Sequence, residues 1–523
     1  MSTRKAAPRL TVSRRRTHRT DESHVKTTVP SRPLVECFRL PTISNQRHVV
    51  LVCFLVVMAL SSWREISAEP PGRPNILFLV VDDLNTWLLS DPTRYAGRVV
   101  APNIQRLAGE GVLFHSAYTA SPVCSPSRTA FLSGVAPWKS GVSRNGVNVG
   151  DSEVLKDVPS LFTTFQQHGY WTAKFGKVSH GYDTGVKHDA QMNHKRTPPP
   201  PGAPLNGIAR SAGGKVTERD WGATHIPEAE MSDTKLADAT IATLRQRHDR
   251  PFFISCGLFH PHYPWYVPQK YLDLYPLNQI KLPPVKTDDL TDVPPYGQRL
   301  VNRSWDEKIQ ERGLTRQAIQ GYLASVSYSD TQIGRVLDAL DSSPYSENTI
   351  VVLISDHGFH LGEKQQWTKA TLWEEATDCV MMFRVPDLTQ PNQICRRPVS
   401  LLDLYPTLVE LAGIDKPTHL DGHSLLPLLQ NVRGPRVQPA ITVYDGHMAV
   451  RTEQSRFIRY WDGTTELYDL KIDPHEWANQ TNNPAFQALK NVMSAHLPSR
   501  DEIVEPLPSR QAGAVNFQPR PRK

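Results

Sequence analysis

Four continuous apolar runs, each next to a segment of helical periodicity, constrain this chain more than any other feature. "NILFLVV" (Asn75–Val81) precedes the helix-like "APNIQRLAGEG", and "GYWTAKF" (Gly169–Phe175) follows the amphipathic "SLFTTFQQHG". "PFFISCGLF" (Pro251–Phe259) follows "DTKLADATIATLRQR", and "TIVVLIS" (Thr349–Ser355) follows "YLASVSYSDTQIGRVLDAL". A strand apolar at every position must be covered on both faces. The alternation therefore predicts an α/β fold with a large, mostly parallel central sheet flanked by helices.

The polar residues fall at one place on these strands. The first run ends in Asp82 and Asp83, the second leads to Lys177 and His180, the third to His260 and His262, and the fourth to Asp356 and His357. One Asp after a strand is an ordinary turn or cap residue. Four ionisable strand ends together mark the carboxyl edge, where open α/β sheets place their sites. Asp82, Asp83, Asp356 and His357 are good ligands for a hard divalent cation.

"CSPSRTAFLSG" (Cys124–Gly134) raises a separate question, since the cysteine has no CxxC partner. Ser125 is expected to be the N-cap and Pro126 to open a helix. The helix start and Arg128, one turn in, favour a thiolate at Cys124. A buried structural cysteine or a phosphatase-type nucleophile are the alternatives, although the phosphatase Cys-to-Arg loop is longer. Lys177, His180, His262 and Lys369 add cations and proton donors. The set suits a tetrahedral oxyanion ester, sulfate or phosphate.

The formal charge of +7 points to a polyanion partner until its location is checked: residues 1–47 hold eleven Lys/Arg against three Asp/Glu. The remainder is close to neutral, which removes nucleic acid from the expected partners. Val49–Leu60 is an apolar run too short to span a bilayer comfortably. With the small residues after it, residues 1–68 read as a leader with a signal peptide cut near Ala68. An uncleaved anchor is the alternative, and the leader is the one expected membrane contact. Cys379 and Cys395 are near enough in sequence to pair, while Cys256 reads as a buried hydrophobe. Residues 183–225 and 294–303 read as surface loops, the former a place for substrate selection. Residues 72–435 are expected to form the catalytic domain and 436–500 a small antiparallel sheet with a helix. Residues 501–523 are expected to be a disordered tail. Asn302 and Asn479 lie in Asn-x-Ser/Thr triplets.

"CSPSRTAFLSG" resembles the signature of type I sulfatases, Cys-x-Pro-Ser-Arg with a Leu-Ser/Thr-Gly end. The resemblance extends from about Asn75 to Asn483 through "NILFLVVDDL", "GYWTAKFGKVSH", "PFFISCGLFHPHYPW", "VVLISDHGFHLGEKQQWTKATLWEEAT", "SLLDLYPTLVELAG" and "LDGHSLLPLL". "GKVSH" and "HPHYPWYVPQKYLDLYP" are more similar to the iduronate-2-sulfatase branch, with two residues between Lys177 and His180 where many arylsulfatases have one.

The resemblance implies an alkaline-phosphatase-like sandwich in which Cys124 is converted to formylglycine by a formylglycine-generating enzyme. The hydrated aldehyde is then the nucleophile. It also implies metal ligation by Asp82, Asp83, Cys124, Asp356 and His357, usually of Ca²⁺, with Mg²⁺ the alternative. Arg128 and Lys177 would hold the formylglycine and offset sulfate charge. Lys369 and His262 would bind sulfate, one of them protonating the leaving oxygen, and His180 would assist the second step. The implied substrate is a sulfated carbohydrate. A phosphonate or phosphodiester hydrolase, a choline sulfatase and a non-catalytic binding protein are the other readings. His260 stands where the branch often carries Lys or Arg before Pro-His, and its role is open between reaching substrate and filling space.

Overall fold

Every one of the four apolar runs becomes a strand of one sheet. The computed structural model describes residues 72–182, 185–208 and 219–509. Its main sheet contains β1 (Asn75–Val81), β2 (Val112–Phe114), β3 (Trp171–Gly176), β4 (Ala190–Met192), β5 (Phe252–Leu258), β6 (Thr349–Ser355), β7 (Met381–Arg384) and β8 (Gln393–Cys395). They lie in the order β8-β2-β7-β6-β1-β5-β3-β4. Only β7 runs against its neighbours; every other pairing is parallel.

Strand β1 shows why the sheet sits between two helical layers. Its side chains alternate in direction, and all seven residues are buried. Leu77, Leu79 and Val81 enter one core with α1 (Pro102–Glu110), α4 (Ser232–Leu244) and α5 (Thr315–Asp341). Ile76, Phe78 and Val80 enter the other with α2 (Cys124–Ser133), α3 (Leu161–Gln167) and α6 (Leu404–Leu411). Each such side chain stabilises the fold by about 1.5–3 kcal/mol, which fixes the strand ends that carry the polar residues.

The C-terminal strands Ala440–Tyr444, His447–Arg451, Ser455–Arg459 and Thr465–Asp469 form an antiparallel sheet, followed by the helix Gln487–Ser494. One buried carboxylate collects several of the bonds between this sheet and the rest. Glu374 accepts from Arg94 at 2.9 Å, from Arg451 at 2.9 and 3.1 Å, from Tyr118 at 2.8 Å, and from Arg456. Burial alone would raise the Glu374 carboxyl; Arg451, Arg456 and Arg94 outweigh it and hold it well below the usual range. Residues from Pro70 onward form one compact unit.

Three expectations change. Residues 294–303 are largely helical, as Pro295–Leu300 and the start of Arg303–Glu311, because Pro295 at the first helical position nucleates the turn. The beginning of the tail is held: Val504 donates to Trp138 O at 2.7 Å and Leu507 to Gly141 O at 2.9 Å. Cys379 and Cys395 are free, buried thiols, and they occupy different sheets. The 183–225 segment contributes β4 and the strand Trp221–Ala223, which pairs with Trp265–Val267. The leader and residues 510–523 lie outside the described residues. Among the described residues, no helix is long and apolar enough to cross a membrane.

Candidate active site

The carboxyl ends of β1, β3, β5 and β6 bring their polar residues to one place. Asp82 and Asp83 leave β1 in a strained turn: Asp83 is left-handed at φ 61°. Tyr322, from the middle of α5, holds that turn. Its hydroxyl donates to Asp83 O at 2.9 Å and accepts from Asn85 N–H at 2.7 Å. Asp356 follows β6, where its N–H donates to Val81 O at 3.3 Å. Its Oδ1 accepts from the Asp83 N–H at 3.2 Å. Lys177 follows Gly176, whose φ of +79° and approach to Gly257 O exclude any side chain. That close crossing lets the chain turn sharply at the sheet edge.

Cys124 is the first residue of α2 and is buried. Ser125 is not the cap: Val123 holds the cap position without a side-chain bond, and the Ser125 N–H donates to Asn145 Oδ1 at 2.9 Å. A loop residue from outside the helix has taken the role that local sequence assigns to serine. The sulfur lies 3.2 Å from Lys369 Nζ, 3.7 Å from Lys177 Nζ and 3.4 Å from His357 Nε2. His180 reaches it from an exposed position. Burial raises the Cys124 thiol, but Lys177, Lys369 and His357 outweigh burial and hold it well below its ordinary value.

One ligand atom from each of Asp82, Asp83, Cys124 and His357 falls within 4.8 Å of all the others. His357 Nδ1 donates to Gly358 O at 2.9 Å. That bond leaves the Nε2 lone pair pointing at Asp83 Oδ1 (3.5 Å) and Asp356 Oδ2 (3.4 Å). Asp83 Oδ2 is buried with no hydrogen-bond partner. An orphaned carboxylate oxygen beside an imidazole lone pair, in an oxygen-rich set, fits a divalent cation. Asp356 stands at the edge of this group, with Oδ2 also accepting from Arg128 Nε at 2.9 Å. Burial raises the Asp356 carboxyl, up to about 7, and Arg128 only partly opposes it.

Arg128 differs most from its expected role. Its guanidinium is wholly buried and donates to Asp82 Oδ1 at 3.0 Å, to Asp356, and to the Lys177 and Val178 carbonyls. It lies beneath the carboxylates and locks them, with its donors directed at the protein. Lys177 and Lys369 also pair with Asp82 and Asp83, but both ammonium groups face the sulfur. His262 Nδ1 donates to Tyr263 O at 2.6 Å, and its Nε2 is 3.9 Å from Asp83 Oδ2. His260 does not join them: its Nδ1 meets Asp233 Oδ2 at 2.7 Å, and Asp233 also accepts the Phe259 and His260 N–H groups. The residue is a buried anchor of the histidine segment. Tyr322, Asn145 and Asp233 carry no local motif, and sequence reasoning missed them.

Beside Cys124 lies a cleft of about 580 Å³, lined by its neighbour Val123, by Lys369 and Ala370, and by Arg144, Arg219, Arg299 and His447. A cation cradle next to a buried nucleophile position, with two lysines facing it across the edge of a parallel sheet, is the equipment of a hydrolase of tetrahedral oxyanion esters. Residues 74–414 match the sulfatase family, and residues 362–502 match the C-terminal region of N-sulphoglucosamine sulphohydrolase. The chain belongs to the sulfatase family and is a sulfuric ester hydrolase of the formylglycine-dependent type.

It is 37% identical to a sulfatase of Formosa agariphila, over 86% of this chain and 92% of that one. It is 28% identical to the choline-sulfatase of Rhizobium meliloti (81% and 87% covered) and 28% to human iduronate 2-sulfatase (81% and 80%). The phosphonate monoester hydrolase of Silicibacter pomeroyi shares the fold, with a TM-score of 0.68 at 21% identity, over 81% and 94% of the two chains.

Proposed function

We propose that this chain is an exported sulfatase that removes sulfate from a sulfated saccharide, as iduronate-2-sulfatases do, with formylglycine at position 124. The observation that carries the reading is the position of residue 124: at a helix start, between Lys369 and Lys177, and next to a cation-lined cleft. The cleft, at about 580 Å³, lies within the usual range of about 300–1,000 Å³ for small-molecule sites and has room for a saccharide unit. The choline-sulfatase relative offers a second reading. The cleft opposes it, because Arg144, Arg219, Arg299 and Lys369 repel a trimethylammonium group.

A maturing formylglycine-generating enzyme acts on Cys124, and the resulting hydrated aldehyde supplies the nucleophilic hydroxyl. Asp82, Asp83, Asp356, His357 and residue 124 would hold a divalent cation, Ca²⁺ or alternatively Mg²⁺, which would supply positive charge beside that hydroxyl and the sulfate oxygens. Lys177 and Lys369 turn their ammonium groups to the sulfate. His262, its Nδ1 fixed on a carbonyl, presents Nε2 to the leaving oxygen and shares the acid role with Lys369. His180, on the exposed side, takes the proton that accompanies sulfate release. Arg128 holds Asp82 and Asp356 in place.

Two experiments test this. The first is the mass of the tryptic peptide Leu107–Arg128 from a host with the maturing enzyme, together with sulfate release by wild type and Cys124→Ala. Aldehyde at 124 and an inactive, folded Cys124→Ala are expected. A Cys124→Ala variant with full rate would overturn the reading. The second is N-terminal sequencing of the mature protein; a start near residue 69 is expected for the exported form.

A further inference from the structure

We infer that Arg219 and Arg299 form a second anion-binding subsite in the cleft, which takes an acidic group on the sugar other than the sulfate ester being cleaved. This rests on the saccharide reading above and specifies it further: the substrate carries at least two anionic groups.

The inference starts from how the cleft cations are matched. Arg144 is paired with Asp445 at 3.2 Å, and Lys369 is committed to Asp83 and the reaction centre. Arg219 and Arg299 are different. Among the described residues, neither is paired with a carboxylate, and both line the cleft. Each lies on an aromatic ring instead: Arg219 sits 5.0 Å from the centre of Trp305, and Arg299 sits 5.1 Å from the centre of Tyr296. Trp305 is buried, so its platform is fixed. Stacking on a ring leaves a guanidinium's in-plane donors available: Arg299 offers its fork, and Arg219, whose two terminal nitrogens each give one N–H to Asn302, still offers its Nε–H and outer N–H groups as a side-on fork. Carboxylate and sulfate both match that fork with two parallel hydrogen bonds.

The subsite is also tied to the reaction centre. With the Asn302 amide oxygen facing Arg219, that oxygen accepts from both terminal guanidinium nitrogens at 3.1 Å. The Asn302 N–H donates to Gln366 Oε1 at 2.9 Å, and Gln366 Nε2 donates to Lys369 O at 3.2 Å. Three links therefore fix the position of Arg219 relative to the lysine beside the sulfur. A site that needed only to hold one sulfate ester has no use for two further cations held at this distance. Such cations, left unmatched, cost self-repulsion that a second anion on the substrate relieves.

The test uses the mature full chain and four substrates: 4-nitrophenyl sulfate, a monosulfated neutral sugar, a 2-O-sulfated uronate disaccharide and a disulfated hexosamine. Arg299→Ala and Arg219→Gln are each expected to raise KM about tenfold or more on a sugar with a second acidic group. Their kcat on it is expected to stay within about threefold, and their rates on 4-nitrophenyl sulfate to stay at the wild-type level. The uronate and disulfated arms distinguish a carboxylate from a second sulfate.

Equal rates for variants and wild type on both acidic sugars overturn the subsite, as does an equal loss on all four substrates. Arg299 is exposed, so its substitution tests the idea even if Arg219→Gln disturbs the packing on Trp305. Calorimetric binding of the two acidic sugars to Cys124→Ala, with and without Arg299→Ala, reads the subsite without turnover. A wild type inactive on all four substrates, yet showing the Arg299-dependent binding, would sink the catalytic reading and leave the subsite standing.

Discussion

Tyr322→Phe removes a single oxygen and should weaken the hold on a metal. The ring is fully buried and packs between Trp87, Trp265 and Phe359, so phenylalanine keeps the shape and opens no cavity. What is lost is the bridge between Asp83 O and Asn85 N–H. Those two groups stay buried, and a buried polar group left unmade costs about 1–3 kcal/mol. Because the tyrosine hydroxyl no longer has to be desolvated, the net loss is about 2–4 kcal/mol. Asp83 also holds a left-handed conformation that costs a residue with a side chain about 1–2 kcal/mol. Without the bridge it has reason to relax and to carry its carboxylate off position. Outer partners of this kind are worth about 10–100-fold in metal affinity. The assay is Ca²⁺ titration of chelated protein, read by 4-nitrophenyl sulfate hydrolysis and, separately, by thermal unfolding with and without Ca²⁺. A variant that is less stable but binds Ca²⁺ as tightly as wild type would refute the argument that the bridge sets the ligand geometry.

Three further outcomes can be measured. Arg128→Met should destabilise the chelated protein by about 3–5 kcal/mol in urea unfolding, because it leaves Asp82 and Asp356 buried without their shared cation. Glu363 is pushed up to about 8 from 4.5, first by burial and then by Glu375. Its folded form keeps a proton that the unfolded chain releases. This contribution to stability is full below 4.5 and is lost as pH rises through about 8. Glu363→Gln should flatten the fall in Tm across that window, and an identical slope in the variant would count against the assignment. Cys256, Cys379 and Cys395 are buried thiols, so a non-reducing peptide map should show none of them in a disulfide, and reductant should leave Tm unchanged.

The parts legible in the sequence are those set by local pattern. β1 and β6 fall on the residues read from it, because a continuous apolar run stopped by an acid has one natural end. The direction of β7 was not legible: "MMFR" is a short apolar run, and nothing in four residues encodes antiparallel pairing. The helix after Val123 was legible, but its cap was not. Ser125 and Pro126 are a proper start signal, yet Asn145 bonds the Ser125 N–H and the helix begins two residues earlier, at Cys124. Arg128 was identifiable as part of the site, and its direction was not, because orientation depends on two strand ends far away in sequence. Tyr322 is the extreme case. It sits inside a helical pattern that reads as core, and its partner is 239 residues away.

The same distinction explains how a chain that is nearly neutral beyond its basic first 47 residues presents a strongly cationic centre. The cations occur in three tiers, separated by what they are bonded to. Arg128 is at the bottom, with its donors consumed by carboxylates and carbonyls; it organises the ligands and offers little to an anion. Lys177 and Lys369 form the middle tier. Each touches a carboxylate on one side and the sulfur on the other, so an anion at residue 124 or on the substrate meets them directly. Arg219 and Arg299 form the outer tier, resting on rings rather than on carboxylates. Aromatic support holds a guanidinium in place without neutralising it. The carboxylates that balance the charge are therefore concentrated below the sulfur, and the unmatched cations above it. On the proposed reading, this segregation, rather than net charge, would draw a polyanionic sugar into the cleft and toward residue 124.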